Sequence, residues 1–297
     1  MKILVIGSKG FIGSHIYEYF KKSHEVWGAD IIEDKSAKNY FLLSRQNTQY
    51  EEIFDNNQFD VCVNASGNGS VPISLNRPVF DFELNVTNTL KVLDAIRINN
   101  PTCKYISMSS AAVYGNPVSL PIEENTALIP MSPYGWHKLY AEQICKEYYY
   151  LYDLHTINLR LFSVYGENLK KQLFWDTYQK CKHTTEIELF GTGNETRDFI
   201  YVSDLLHAID CIVKRGLFNG ESVNVASGIE TTIKEAATVF CEYVDKKIKV
   251  KFNKITKPGD PLNWRADIGV LRSWGFEPGF SITEGLKGTV AWLKENA

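Results

Sequence analysis

Tyr134 and Lys138 stand four residues apart, just after Ser132-Pro133, a pair that opens a helix with serine as cap and proline at the first position. On a helix this spacing puts both side chains on one face. A phenol, with an ordinary pKa of about 10, is a poor base near neutrality, and an ammonium one turn away favours its ionised form. The pair can therefore carry a proton. Upstream, the apolar run Tyr105-Ile106-Ser107-Met108 ends in Ser109-Ser110-Ala111-Ala112-Val113-Tyr114-Gly115. A serine at the end of such a strand can hydrogen-bond the oxygen that gains or loses the proton. Neither feature is specific alone: an exposed Tyr-x-x-x-Lys pair is commonly a surface contact, and serines also line solvated loops.

A third feature gives these two a setting. The chain opens on the apolar, β-branched run Lys2 to Ile6, followed at once by Gly7-Ser8-Lys9-Gly10-Phe11-Ile12-Gly13. Glycines in a strand-to-helix turn let the backbone approach a pyrophosphate, while the following helix turns its free N–H groups and positive dipole end to the anion. The last of them, Gly13, permits close helix–strand packing. About 20 residues beyond the loop, Asp30 ends the next strand, where a carboxylate accepts hydrogen bonds from the adenosine ribose of a dinucleotide. The residues after it are Ile31 and Ile32, with no arginine for a 2′-phosphate. The cofactor expected is therefore NAD rather than NADP. Its cationic nicotinamide ring acts on a neighbouring phenol in the same direction as Lys138.

These groups need a scaffold at whose carboxyl edge they can meet. The sequence supplies alternating strands and helices: strand Lys2–Ile6, helix 11–20 with apolar residues at helical spacing, strand 25–29, strand 61–63, a helix from about 79 to 98, strand 105–108, the helix opened by Ser132, and strand 156–161. Such alternation predicts an α/β fold, a Rossmann-type doubly wound parallel sheet with helices on both faces. After Gly166 the rhythm loosens, and a smaller mixed α/β C-terminal substrate-binding part is expected. The boundaries read from the sequence are 1–162 for the NAD-binding domain, with a return around 197–228, and 163–196 with 229–297 for the substrate part. The stretch Asp198 to Val202 reads as a strand that could rejoin the main sheet.

Bulk composition removes several alternatives. With 32 Lys+Arg against 35 Asp+Glu, a formal charge of -3, the chain lacks the basic excess of a nucleic-acid binder. The six cysteines form no C-x-x-C pair and the six histidines have no ligand spacing, so no metal site is expected. Unpaired thiols and the short N-terminal apolar run fit a cytoplasmic protein with no membrane segment. His137, between Tyr134 and Lys138, should point away from their face into solvent.

The chain resembles the extended short-chain dehydrogenase/reductases, the group that contains UDP-glucose 4-epimerase and the dTDP- and GDP-sugar dehydratases and reductases. The resemblance runs through the glycine loop, Asp30, Asn64-Ala65-Ser66-Gly67, Ser109-Ser110 with Val113-Tyr114-Gly115, and Ser132-Pro133-Tyr134 through Lys138. It continues in Leu159-Arg160-Leu161-Phe162-Ser163-Val164-Tyr165-Gly166, Phe190-Gly191-Thr192-Gly193, Arg197-Asp198-Phe199-Ile200-Tyr201-Val202 and Pro258-Gly259-Asp260. It implies Tyr134 as acid/base, Lys138 as holder of the nicotinamide ribose, and Ser110 as partner of the substrate hydroxyl. It places the cofactor along Gly7, Gly10, Phe11, Ile12 and Gly13, beside Asp30 and Ile31, past Ala65, Ser66 and Gly67, with Phe162 near the nicotinamide.

For a nucleotide-diphosphate sugar it implies Arg197 at the diphosphate, Gln172 and Leu173 in a closing loop, Leu189 beside the base, and Ser163 toward the sugar. Lys257 and Asp260 resemble an R-x-x-D segment in which lysine replaces arginine, which weakens bidentate binding there. In the family's dehydratases an acidic residue follows the serine or threonine of the fourth-strand segment. Here Ala111 and Ala112 stand in its place and cannot transfer protons. A 4-epimerase, working by hydride transfer through a 4-keto sugar, needs no further acid, so that activity is expected. An NAD(H)-linked 4-keto-sugar reductase or dehydrogenase uses the same three residues, and a catalytically silent NAD-binding protein is the third alternative. The family's two-fold pairing of helices implies a homodimer, and the aromatic run Tyr148-Tyr149-Tyr150 with Tyr152 lies on one of those helices.

Overall fold

Ile3, Leu4, Val5 and Ile6 have no exposed surface, as a strand buried on both faces requires. This strand, β1 (Lys2–Ile6), is an interior strand of the main sheet in a computed structural model that describes residues 1–44, 48–255, 259 and 261–297. The chain continues as α1 (Phe11–Phe20), β2 (Glu25–Asp30), β3 (Tyr40–Leu42), α2 (Glu51–Asp55), β4 (Val61–Asn64), α3 (Val71–Asn76) and α4 (Pro78–Phe82). A π-helical turn (Glu83–Thr87) then leads into α5 (Asn88–Asn99), followed by β5 (Lys104–Ser110), α6 (Pro133–Tyr152) and β6 (Thr156–Leu161). Beyond them come β7 (Ser163–Tyr165), α7 (Gln172–Cys181), β8 (Glu186–Leu189), β9 (Thr196–Tyr201), α8 (Val202–Arg215), β10 (Asn219–Val225) and β11 (Glu230–Thr232). The last elements are α9 (Ile233–Val244), β12 (Lys249–Phe252), α10 (Gly269–Ser273) and α11 (Ile282–Asn296).

Two compact units result. The first comprises Met1–Gly115, Leu128–Arg160 and Ile212–Val223. It carries a seven-stranded sheet in the order β10-β6-β5-β4-β1-β2-β3. β1 pairs in parallel with β2 and β4, β2 with β3, and β4 with β5. Strand order reverses between β1 and β4, which opens a crevice at their carboxyl ends where doubly wound sheets bind ligands. The α/β, Rossmann-type arrangement expected from the sequence is the one found.

The expected helix of residues 79–98 is broken into α4, the π turn and α5. At the break, the Asn85 amide donates to Asp81 Oδ1 at 3.1 Å and to the Asn68 carbonyl at 3.3 Å. A single inserted residue in a helix is the usual origin of such a turn, and hydropathy periodicity does not register it.

The second unit comprises Asn116–Ala127, Leu161–Cys211 and Asn224–Ala297. Its sheets are small: β9 lies between β7 (parallel) and β11 (antiparallel), and β8 pairs with β12. The stretch Asp198–Val202 thus forms most of β9 in a small sheet, and the late strand that joins the main sheet is β10. The centre of this unit is Asp198, which is fully buried. One of its oxygens accepts Ser227 N–H and Oγ–H, both at 2.8 Å, and the other accepts Gly228 N–H at 3.0 Å and Ala266 N–H at 3.1 Å. Burial nevertheless raises its pKa to about 6.

Candidate active site

Gly7 turns the chain out of β1 with φ +80°, and a side chain there would run into the Ala65-Ser66 backbone at 2.7 Å. A β-carbon on Gly13 would stand 2.0 Å from the Gly7 carbonyl. Both positions therefore require glycine, one for its dihedral and one for the approach of α1 to the loop. The N-cap of α1 is Gly10, and no side chain caps the helix. The first N–H groups of a helix have no intrahelical partner, so those of Phe11 and Ile12 suit an anion laid across the loop. At the end of β2, Asp30 accepts Lys9 N–H at 2.9 Å and Ile32 N–H at 3.2 Å. Ile31 is exposed just beyond it. Ser66 Oγ–H donates to Asn64 Oδ1 at 2.6 Å, and Asn64 in turn donates to Tyr105 Oη at 2.8 Å, which fixes the turn carrying Ala65, Ser66 and Gly67. A backbone cradle, an uncapped helix start and a carboxylate one strand away fit a dinucleotide.

Tyr134, Lys138 and Ser110 are brought together in the same unit. Ser132 caps α6 by accepting Gly135 N–H at 3.2 Å, so Tyr134 falls in the first turn. Burial pushes its hydroxyl pKa upward, the Ser110 hydroxyl bonded to it pulls the other way, and the buried charge of Asp81 adds to the rise. The Lys138 ammonium donates to the Met108 carbonyl at 2.8 Å and lies 5.9 Å from the centre of the Tyr134 ring. The lysine is held against the end of β5, and burial biases the phenol toward its protonated form. Ala111 is buried and Ala112 half-buried in the short turn after Ser110, and Ala112 N–H donates back to Ser110 Oγ at 3.2 Å.

The residue before Ser110, Ser109, is tied to a buried ion pair. Glu142 and Arg160 are 3% and 5% exposed. Arg160 Nη2 donates to Glu142 Oε2 at 2.8 Å, and Arg160 Nη1 donates to Tyr114 Oη at 2.8 Å. Glu142 also accepts the hydroxyls of Ser109 at 2.5 Å and Ser222 at 2.9 Å. Burial opposes charge on Arg160, but its bonds to Glu142 more than offset this and hold it charged.

One expectation is corrected. His137 is not solvated: it is buried, and its Nδ1 meets Asp81 Oδ2 at 2.5 Å. Asp81 has no exposed surface, and its other oxygen accepts the Asn68 amide at 2.5 Å. Helical phase correctly turns His137 off the Tyr-Lys face, but α4 packs on the side it turns to. The signal in the sequence was the Asp81–Asn85 spacing of one helical turn, which becomes informative only once α4 is known to cover α6.

In the second unit, Phe162 and Ser163 lie at the start of β7, and Ser163 is in register with Phe199. Arg197 on β9 donates to the Thr196 carbonyl at 2.7 Å, and its guanidinium lies 5.6 Å from the Trp264 ring centre. Trp264 meets Phe162 edge-on at 5.9 Å, so Phe162 and Arg197 share one aromatic neighbour, which the sequence had not singled out. Gln172 opens α7 with φ +69° and is exposed, with Leu173 half-buried after it. Leu189, at the end of β8, is buried. Lys257 and Asp260 lie outside the described residues. Among the described residues no group of three or more His, Cys, Asp or Glu could hold a metal ion, and no helix is long and apolar enough to cross a membrane.

Comparison with known proteins gives this architecture relatives. A family model described as the NAD dependent epimerase/dehydratase family matches residues 3–226. The chain is 28% identical over 320 residues to a UDP-glucose 4-epimerase of Mycolicibacterium smegmatis, covering 100% of both chains. Among solved structures it is similar to UDP-glucuronic acid 4-epimerase from Bacillus cereus in complex with UDP-glucuronic acid and NAD, at TM-score 0.90 and 25% identity over 100% of both chains. It is also similar to UDP-N-acetylglucosamine 4-epimerase from Methanobrevibacter ruminantium, at TM-score 0.89 and 26% identity, covering 100% of this chain and 99% of that one.

Proposed function

This chain belongs to the NAD dependent epimerase/dehydratase family, and from that premise we propose that it is a 4-epimerase of a nucleotide-diphosphate sugar. The observation that carries this reading is the end of β5. Ser110 is bonded to Tyr134, while the next two positions are Ala111 and Ala112, which can neither give nor take a proton. A reaction that needs only one mobile proton suits this apparatus. Elimination of water needs more acid/base groups than this segment supplies.

In this reading Tyr134 takes the proton from the sugar 4-hydroxyl and returns it after the sugar has presented its other face. Ser110 orients the phenol and the sugar oxygen by hydrogen bonding to both. Lys138, fixed on the Met108 carbonyl, holds the nicotinamide ribose and contributes positive charge near the phenol. NAD, when bound, supplies the acceptor and donor of the hydride, and its positive ring favours the phenolate that the protein alone disfavours. Gly7, Gly10, Phe11, Ile12 and Gly13 hold its pyrophosphate, Asp30 its adenosine ribose, and Ala65 to Gly67 line its path. Arg197, stacked on Trp264, is assigned to the diphosphate of the substrate, with Phe162, Ser163, Gln172, Leu173 and Leu189 as further contacts.

The protein is further proposed to act as a homodimer in the cytoplasm. Val79 is 71% exposed, and Phe82, Trp136 and Tyr140 are each more than 40% exposed, on α4 and α6. These supply an apolar, partly aromatic face suited to a partner. None of the six cysteines is in a disulfide, in keeping with a reducing compartment. Conversion of a nucleotide sugar to its 4-epimer without net change in NADH tests the reading.

A further inference from the structure

Asp30, with no arginine after it, favours NAD over NADP. The structure also ties a lysine of the glycine loop to that carboxylate through its backbone. Lys9, the third residue of the glycine loop, donates its backbone N–H to Asp30 Oδ2 at 2.9 Å, so its side chain leaves the loop beside the carboxylate assigned to the ribose. Its ammonium is paired with Asp34 and lies 5.3 Å from the centre of the Tyr40 ring. The Asp34 side chain is only 18% exposed. Its Oδ1 accepts Ser36 N–H at 2.9 Å, Ser36 Oγ–H at 2.6 Å and Ala37 N–H at 3.2 Å. These bonds and the ammonium hold the Asp34 carboxyl far below the usual carboxylate range. The nearby Lys35 is directed elsewhere, to Glu33 at 3.8 Å.

An unpaired ammonium beside Asp30 would be a ready partner for a ribose 2′-phosphate, because a charge-assisted bond from lysine to phosphate is strong. We propose that Asp34 is a specificity-determining residue that excludes NADP by occupying Lys9 and by placing a second negative charge beside Asp30. The inference rests on the assignment of the glycine loop and Asp30 to the adenosine half of the cofactor. Lys9 is then a suppressed 2′-phosphate ligand. Asp30 repels the phosphate directly, and Asp34 withholds the cation that would offset the repulsion. The turn formed by Ser36 and Ala37 presents the Asp34 carboxylate toward Lys9 rather than into solvent.

Calorimetric titration of the full-length protein with NAD and NADP tests this through the ratio of their dissociation constants. Asp34→Asn is the variant of choice, since its amide oxygen can keep the Ser36 and Ala37 bonds while the charge is lost. The ratio Kd(NADP)/Kd(NAD) should fall by about tenfold or more, the gain typical of one charge-assisted bond to phosphate. Adding Lys9→Gln to Asp34→Asn should restore the ratio, and raising the salt concentration should shrink the effect. An unchanged ratio in Asp34→Asn would overturn the proposal, as would a fall that survives Lys9→Gln. Asp30→Ala serves as a separate control. If it leaves both affinities unaltered, the assignment of the adenosine pocket itself is wrong, an outcome distinct from failure at Asp34 alone.

Discussion

The buried Glu142–Arg160 pair gives the sharpest stability prediction, because both side chains are almost wholly withdrawn from water. Glu142→Gln keeps the shape of the side chain but removes its charge and turns one acceptor oxygen into a donor. Oε1 accepts Ser109 Oγ–H and Arg160 Nε–H, and Oε2 accepts Arg160 Nη2–H and Ser222 Oγ–H. Whichever way the amide turns, an Arg160 N–H meets an NH₂ group, and the guanidinium is left uncompensated at 5% exposure. Breaking one side of such a pair costs about 3–5 kcal/mol. Against a typical total of about 5–15 kcal/mol, that is roughly a fifth or more of the stability. Urea unfolding followed by circular dichroism should show the midpoint falling accordingly. Arg160→Met alone should also be costly. The double variant Glu142→Leu with Arg160→Met should recover at least about 2 kcal/mol relative to the sum of the Glu142→Leu and Arg160→Met losses, because no buried charge then lacks a partner. A loss below about 1 kcal/mol for Glu142→Gln, or strict additivity in the cycle, would refute the argument.

Four further outcomes are expected. Asp30→Ala should narrow the preference for NAD over NADP by relieving repulsion of the 2′-phosphate, as measured by calorimetry. Asp81 raises the Tyr134 pKa, so activity that depends on phenolate should rise with pH, and Asp81→Asn should move that limb of the kcat/KM profile to lower pH. Asp198→Asn puts an amide NH₂ against two donors, and should cost about 2–4 kcal/mol in unfolding experiments. Because the folded pKa of Asp198 is raised, its titration favours the fold below about pH 4 and that contribution is lost as pH rises through about 6; the Asn variant should lack this dependence. Light scattering at micromolar concentration should report a dimer, and a monomer would contradict the pairing assigned to α4 and α6.

What the sequence revealed and what it concealed divide along physical lines. Residues Lys2 to Ile6 are a run that only a fully buried parallel strand explains, and Ser132-Pro133 fixes where α6 starts, so the phase of Tyr134 and Lys138 follows from local rules. The glycine loop was legible because the φ of Gly7 and the approach of Gly13 to the Gly7 carbonyl are constraints within the turn itself. Contacts between segments distant in sequence were not legible. Asp81 and His137 are 56 residues apart, and Glu142 meets Ser222 across 80. Lys9 and Asp34 were each visible, but their pairing depends on how the loop after β2 folds back, and reading only the residues after Asp30 overlooked a cation placed before it. The return to the main sheet, read from the sequence as lying around 197–228, is made by β10 and not by the stretch Asp198–Val202 that could also have rejoined it; β10 has only two β-branched residues, Val223 and Val225, and pairing is decided by neighbours absent from the local sequence.

The most direct test of the account follows the fate of the sugar. The purified protein, with NAD at no more than the enzyme's own concentration, should convert one of a panel of nucleotide-diphosphate sugars to its 4-epimer, with no net change in absorbance at the NADH band. Tyr134→Phe should lower that rate by at least about 10²–10⁴-fold, the range for loss of a general acid/base, while NAD still binds because only the hydroxyl is gone. Stoichiometric production or consumption of NADH, loss of water from the sugar, or full activity in Tyr134→Phe would contradict it.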